Sequence, residues 1–339
     1  MSNAPRGDQP SWRPSATPDT LRHRARALRR VRAFFARRRV MEVTTPVWLP
    51  AAAPERHQTP PSCSGGFLQT SPETCMKRLV AAGSGAIYQI GPAFRAGESG
   101  RLHHPEFTML EWYRPQWRLE QLMEEVIDLL RLFFPAASLA TMTFQEAFLR
   151  HAGVDPFFTS VTDMAQRTSV PHSLEWTEAH RPILVDQLFV DRLEPAFSNI
   201  DNIIILKDFP SWEPGMAELD PGPPMVARRF EIIYKGVEIA NGYQELRDPV
   251  AQRERFVAAN RYRVENGMPP LPLDERFLEA LRDGFPPCAG VALGLDRLLM
   301  LAFGLDSIGD VLSFREFADE TIGREEVVPF PAKHCVMVS

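Results

Sequence analysis

Residues 103–115, HHPEFTMLEWYRP, constrain the fold more than any other stretch of the chain. The run reads as a strand, and successive side chains of a strand point to opposite faces of its sheet. Phe107, Met109, Glu111 and Tyr113 therefore share one face, and Glu106, Thr108, Leu110 and Trp112 share the other. Leu110 and Trp112 make a core face. The opposite face combines two aromatic rings, a methionine and a carboxylate. A buried carboxylate has to meet a cation, a donor or water. A pocket for something flat and something positively charged satisfies that requirement.

The segments around this strand decide the fold class. IYQIGPAFR leads through the polar turn AGESGR into it, which predicts an antiparallel hairpin. From Asp19 to Arg39 the pattern is helical, with Asp19 or Thr20 as the cap and Leu21, Ala25, Leu28, Val31 and Phe35 at three- and four-residue steps. The opposite side of that helix carries a run of arginines, either a solvated face or a dock for an acidic partner. VMEVTTPVWLP reads as a short strand ended by prolines, and residues 51–66 as loop. LEQLMEEVIDLLRLFF is an amphipathic helix, residues 143–200 are helical and irregular, and IIILKDFP is a buried strand. After the proline-rich SWEPGMAELDPGPP come a hairpin, FEIIYKGVEIANGYQEL, and a helix containing AQRERFVAANRYRVENG. GVALGLDRLLMLAFG closes the pattern as a strand running into a helix. Strands and helices alternate without βαβ regularity or repeats, so the expected class is α+β, an antiparallel sheet flanked by helices.

Composition excludes several functions. A chain of 339 residues can bury a full core as one large domain or two smaller ones. No apolar run approaches the roughly 18–20 residues of a membrane span, and MSNAPRGDQPSWRPSATP lacks the apolar segment of a secretory signal, so no membrane partner is expected. Cys63, Cys75, Cys288 and Cys335 show no CxxC spacing, which argues against zinc and for reduced thiols in a cytoplasm. The net charge of −5 argues against coating nucleic acid and leaves room for a local basic patch. Residues 1–18, rich in Pro, Ser and Arg, are expected to be disordered.

The second hairpin carries the next candidates. With Lys235-Gly236 as a two-residue turn, Tyr234 pairs with Val237, Ile233 with Glu238, and Glu231 with Ala240. Glu231 and Glu238 then lie on one face, ~7–8 Å apart at backbone level. Two like charges that close need a cation or donors between them, and Mg2+ on a phosphate ligand suits them, although two exposed strand glutamates is the plainer reading. The same alternation turns Asn241, Tyr243 and Glu245 away from Glu238, so a bulge or kink is predicted at Gly242. Arg95 ends a strand, and Arg297 follows the strand GVALGLDR; either could be an ordinary surface ion-pair partner. Phe107 for stacking, two arginines for phosphates and two carboxylates for a metal together describe an ATP site with in-line displacement chemistry.

These residues resemble the catalytic domain of class II aminoacyl-tRNA synthetases of the lysyl type. FFARRRVMEVTTP is similar to the first motif of that class, FRAGESGRLHHPEFTMLEWY to the second and GVALGLDRLLMLAFG to the third. TSPETCMKRL and EIANGYQEL also match lysyl-type segments, so the resemblance covers most of residues 20–314. The resemblance implies a class II synthetase catalytic fold over residues 19–315, with 316–339 as a tail. Lysyl-tRNA synthetases carry an N-terminal anticodon-binding barrel, and the roughly 20 residues before the first helix are too few for one. The chain is accordingly similar to the truncated lysyl-type paralogues that attach (R)-β-lysine to a lysine of translation elongation factor P. SWRPSA, YKGVEIANG and the GVALGLDR form carry that likeness, and Ala292 stands where lysyl synthetases generally have glycine.

Residue by residue, the resemblance implies that Arg95 and Arg297 are the catalytic cations. Arg95 would hold the α-phosphate, and Phe107 would stack on adenine with Arg297 on its other side. Glu98, His103, His104, Glu238, Ile239 and Gly294 would complete the ATP site. Glu231 and Glu238 would hold Mg2+. Ser71, Pro72, Glu73, Glu111, Tyr113, Asn241, Glu245 and Ala292 would bind the amino acid, with Tyr113 and Glu245 on the ε-ammonium. His104 replaces the family's asparagine, and AGES replaces its NEE. A homodimer in the cytoplasm without stable tRNA binding is the implied state. Two other readings stay open: a free-standing lysine-activating enzyme with another acceptor, and a non-catalytic sensor of lysine or nucleotide.

Overall fold

The computed structural model describes residues 12–170 and 175–315. Helix α1 (Pro18–Arg37) is followed by the short strands β1 (Met41–Glu42), β2 (Trp48–Leu49), β3 (Ser62–Cys63) and β4 (Gly66–Leu68). Helix α2 (Glu73–Ala81) leads into the long hairpin β5 (Ile87–Phe94) and β6 (Glu106–Pro115), and α3 (Leu119–Leu130) follows. Strand β7 (Ser138–Thr143) opens a helical region of α4 (Phe144–His151), α5 (Val161–Ala165), α6 (Arg181–Leu188) and α7 (Glu194–Ser198). Then come β8 (Asn202–Pro210), β9 (Leu219–Asp220) and the hairpin β10 (Val226–Tyr234) and β11 (Val237–Gln244). Helices α8 (Pro249–Glu265) and α9 (Glu275–Gly284) precede β12 (Cys288–Gly294), which runs into α10 (Leu295–Ala302).

A nine-stranded sheet organises the molecule in the order β1-β5-β6-β12-β11-β10-β8-β7, with β9 beside β10. The pairings from β5 to β8 are antiparallel, as the sequence predicts, but the edges are not: β1 pairs with β5 and β7 with β8 in parallel. One face of the sheet packs Leu110, Trp112, Ile232 and Val291 against Val31, Phe34 and Phe35 of α1 and the apolar stripes of α3 and α10. On the other face, a cluster of Ile204, Leu206 and Ile233 with α4–α7 covers one end. A second cluster, of α2, α8 and α9 around Ile87, Tyr113 and Cys288, covers the other. Between those two clusters the polar residues of the strands remain uncovered by core.

Several expectations change in detail. Helix α1 starts at Pro18, capped by Thr17, whose Oγ1 accepts from the Thr20 N–H at 3.1 Å; neither Asp19 nor Thr20 is the cap, and the helix ends at Arg37. The segment before it is anchored from Ser15, where the Ser15 and Ala16 N–H groups donate to Ser313 and Leu312 carbonyls at 2.8 and 3.1 Å and Ala16 is buried. Residues 1–11 and 316–339, including Cys335, lie outside the described residues. VMEVTTPVWLP is not one strand: Thr45 donates its N–H to the Gln89 side chain at 2.8 Å, and pairing resumes only at Trp48. In the second hairpin, Lys235 and Gly236 do form the turn, both at positive φ. Beyond it the register shifts between Ile232 and Ile233, so Glu231 lies opposite Asn241 rather than Ala240.

That shift leaves Ile239 as an extra residue, and Ile239 and Ala240 both face the core. The predicted irregularity is therefore real but misplaced. Gly242 continues the ladder with regular partners, and its lack of a Cβ instead makes room for the Phe230 ring. A bulge resets the two-residue alternation. It returns Asn241, Tyr243 and Glu245 to the face that carries Glu238.

Candidate active site

Cross-strand register assembles most of the expected amino-acid pocket. One row across the sheet runs Gln89, Glu111, Ala292, Asn241, Glu231, each residue the direct partner of the next. The adjacent row runs Ile87, Tyr113, Gly290, Tyr243, Arg229. Directly opposed side chains stand about 4.5–5.5 Å apart at Cβ. The mixed face of β6 is thus part of a polar floor shared by five strands, β5, β6, β12, β11 and β10.

The carboxylates of this floor are buried and partnered. Glu111 is 2% exposed and accepts from Ser71 Oγ and Tyr113 Oη, each at 2.7 Å. Burial, and then the negative charge of Glu73, push its carboxyl up to about 7, against the pull of those two donors and Lys77. Glu245, 1% exposed, lies 2.6 Å from the Lys77 ammonium. Burial pushes Glu245 up to about 8 although Lys77 opposes the rise. Glu73, the first residue of α2, holds the same ammonium at 2.6 Å, and its N–H donates to Ser71 Oγ at 3.1 Å. Pro72 is the residue before α2, so Ser71, Pro72 and Glu73 enter the site as one turn. Gly290 is required here: a Cβ would collide with Glu245 Oε1 and the Tyr113 ring.

The nucleotide end is built from Arg95, Phe107 and Arg297. The Arg95 guanidinium lies 5.1 Å from the Phe107 ring centroid, and Glu98 stands 3.8 Å from it. Arg297 donates from Nε to the Leu102 carbonyl and from Nη1 to the Glu238 carbonyl, both at 3.1 Å, and its Nη2 lies 2.6 Å from His103 Nε2. Its guanidinium is also 3.7 Å from the Glu238 carboxylate. Gly294 sits beside the Arg297 stem and the Ile239 carbonyl. Ile239 buries its side chain in the core, so only its backbone faces this end. His104 does not point as His103 does. Its ring is buried, with Nδ1 2.6 Å from the carbonyl of Glu106 at the start of β6.

Glu231 and Glu238 share a face as expected, but neither is an exposed strand glutamate. Glu231 pairs with Arg229, and Glu238 with Arg297. Among the described residues no group of three or more His, Cys, Asp and Glu is placed to hold a metal by itself. Two partly buried oxygen donors suit a Mg2+ that takes the rest of its shell from phosphates and water.

Four site residues escaped the sequence reading. Lys77 is one turn after Glu73 on α2, a spacing that brings side chains together on a helix and was the signal to follow. Arg229, two residues before Glu231 on the same strand face, donates to Asn241 Oδ1 at 3.2 Å and to Glu231. Gln89 is opposite Glu111 in a predicted hairpin. The Glu55 carboxyl lies inside the site although the residue as a whole is partly exposed. Burial and Glu73 push it up to about 7 against Arg95 and Arg229. Nothing in its proline-rich loop marks it.

Comparison with known proteins gives the family of the chain. Residues 11–318 match the family model for class II tRNA synthetases (D, K and N). The chain is 43% identical to the elongation factor P–(R)-β-lysine ligase of Proteus mirabilis (strain HI4320) over 316 residues, which cover 89% of this chain and 97% of the relative. It is 42% identical over 322 residues to the ligase of the same name from Yersinia pestis (strain Pestoides F), covering 91% and 98%.

Proposed function

The chain belongs to the class II tRNA synthetase family of the D, K and N type, and from that premise we propose that it is an ATP-dependent ligase that activates (R)-β-lysine and transfers it to a lysine of translation elongation factor P. The observation that carries this reading is the Glu111–Ala292–Asn241–Glu231 row, flanked by Tyr113 and Glu245, which joins an acidic amine pocket to an arginine-lined nucleotide end. The family uses ATP. In the first step a carboxylate oxygen of the amino acid attacks the α-phosphorus, the bond to the bridging oxygen breaks, and pyrophosphate leaves. Arg95 and Arg297 stabilise the charge that develops on the phosphates. Glu111, Tyr113 and Glu245 hold the ammonium groups, and fixing both reactants in register removes much of the entropic barrier. In the second step the acceptor ε-amine attacks the acyl carbon, the amine loses a proton, and AMP departs as the amide forms.

Glu231 and Glu238 would hold Mg2+, which supplies positive charge to the phosphates when bound. The methyl of Ala292, between Glu111 and Asn241, narrows the floor where the substrate backbone would lie, which favours a β-amino acid over an α-amino acid. We place a homodimer interface on α1 and β1, as the resemblance implies; the exposed side chains of Met41, Val47 and Trp48 just after α1 support it. A monomeric mass at micromolar concentration would rule that interface out. A cytoplasmic setting follows from a translation factor as acceptor. Among the described residues no helix is long and apolar enough to cross a membrane.

The transfer is tested by incubating elongation factor P with the enzyme, ATP and (R)-β-lysine and reading its intact mass. A mass increase of a single β-lysyl residue, attached through one amide at one lysine, is the expected result. An unchanged mass, with adenylate forming, would move the acceptor elsewhere.

A further inference from the structure

Lys77 is 1% exposed, among the largest fully buried side chains of the molecule, yet it is a cation. Its ammonium lies 2.6 Å from Glu73 Oε1 and 2.6 Å from Glu245 Oε2, with Met216 Sδ at 3.5 Å and the Phe277 ring centroid at 5.8 Å. The ammonium is therefore held by two acids and enclosed by thioether and ring. Both acids belong to the amine pocket, and they come from different elements, α2 and the end of β11. Each carboxylate uses one oxygen on Lys77. The other oxygen of Glu245, Oε1, faces Gly290 and the Tyr113 ring on the pocket floor.

We propose that Lys77 is a positioning residue that sets the charge of the amine pocket to match a substrate with two ammonium groups. The inference rests on the reading of this site as a diamino-acid pocket and deepens it. Three buried or partly buried carboxylates, Glu73, Glu111 and Glu245, meet one resident cation. With all three ionised, two negative charges remain, which is what two substrate ammonium groups neutralise, while Glu55 faces Arg95 and Arg229 and the substrate carboxylate is left for the arginines. A buried ammonium paired with one acid would be an ordinary structural ion pair. Here a single ammonium bridges two acids that recognise substrate, and it fixes where their remaining oxygens point.

The other titratable groups facing Glu245 are Tyr113 and Glu111 of β6 and Cys288 of β12, with Glu73 of α2. None of them can replace the lost cation. Burial works against the charge of Lys77, but Glu245 and Glu73 outweigh it and hold the ammonium above its usual range. Removing that charge leaves Glu245, already raised by burial, still harder to ionise, so the pocket would lose one negative charge until the pH is raised.

The test is calorimetric binding of (R)-β-lysine to the full chain with a non-hydrolysable ATP analogue, from about pH 6 to about pH 9, for wild type and Lys77→Met. A change of one unit in the pKa of Glu245 displaces the acid limb of binding by one pH unit, about tenfold in affinity at a fixed pH below it. Lys77→Met is expected to bind at least about tenfold more weakly near pH 7 and to recover as the pH rises. The conservative variant Lys77→Arg keeps a cation between Glu73 and Glu245, so it should bind more tightly than Lys77→Met near pH 7 and restore most of the wild-type acid limb. Unchanged binding by Lys77→Met, a loss equal at every pH, or a Lys77→Arg profile no closer to wild type than that of Lys77→Met would overturn the role of Lys77. Absence of binding by the wild type at any pH would instead overturn the diamino-acid reading and this inference with it.

Discussion

Ala292 of β12 is the direct cross-strand partner of Glu111 on one side and of Asn241 on the other. Its methyl therefore stands in the centre of the candidate amino-acid floor. Replacing Ala292 with Gly should shift preference toward α-lysine. A single methyl is worth roughly 1–3 kcal/mol in discrimination, or about tenfold to two-hundredfold, read as the ratio of kcat/KM for (R)-β-lysine and α-lysine. An unchanged ratio would remove Ala292 from the specificity argument.

Glu111 gives a prediction in which stability and function move in opposite directions. Its folded pKa of about 7 is raised above the unfolded value, chiefly by burial. The proton it holds therefore stabilises the fold fully below about pH 4.5, and that contribution is lost as the pH rises through 7. Glu111→Gln keeps an acceptor for one of the two hydroxyls, Ser71 or Tyr113, and offers an N–H to the other, but carries no charge. It should melt above the wild type at about pH 8, by an amount on the order of 1–3 kcal/mol, while losing amino-acid activation. Thermal melts at two pH values check the first part and pyrophosphate exchange the second.

The acid limb of substrate binding follows from the same groups. Glu245 and Glu111 have folded pKa values of about 8 and about 7 and have to be ionised to hold ammonium groups. KM for the amino acid should rise as the pH falls from about 8 to about 6, with KM for ATP changing far less. A parallel rise of both constants would place the titration outside the amine pocket.

Gly290 leaves the space that Glu245 Oε1 and the Tyr113 ring occupy. Gly290→Ala forces one of them to move, at a cost of about 1–3 kcal/mol. The expected result is an amino-acid KM raised roughly tenfold or more, with ATP binding by calorimetry preserved.

Arg297 uses three different nitrogens toward Leu102, Glu238 and His103. A lysine offers a single point charge and cannot reproduce that fork. Arg297→Lys should lower kcat/KM for ATP by roughly 10²–10³ without altering the melting temperature by more than a few degrees. A retained kcat/KM would show that charge alone suffices.

Much of this site was readable because strand alternation is strict. Glu111 and Tyr113 on one face, with Leu110 and Trp112 on the other, followed from one thirteen-residue stretch, and the β5–β6 hairpin followed from the turn after Arg95. The second hairpin shows where alternation stops being informative. Nothing in IIYKGVEIAN says that Ile239 is the extra residue, because a bulge depends on how β8, β10 and β11 pack together, and Gly242 was the more obvious place for it. Lys77 carried a signal, the four-residue step from Glu73, but a lysine on an amphipathic helix ordinarily faces water. Its burial is decided by α9 and Phe277, distant in sequence. Glu55 gave no signal at all, since its position is fixed from outside its own loop: Arg263 of α8 donates to the Glu55 and Gln58 carbonyls at 3.1 and 2.8 Å.

The central claim is that one pocket joins a diamino acid to ATP. ATP–pyrophosphate exchange tests it most directly, with (R)-β-lysine, (S)-β-lysine, α-lysine, aspartate and no amino acid as separate arms. Strong exchange with (R)-β-lysine, weaker exchange with α-lysine and none with aspartate is the predicted result. No exchange in any arm, with ATP still bound, would contradict the account and leave a site that binds its ligands without activating them.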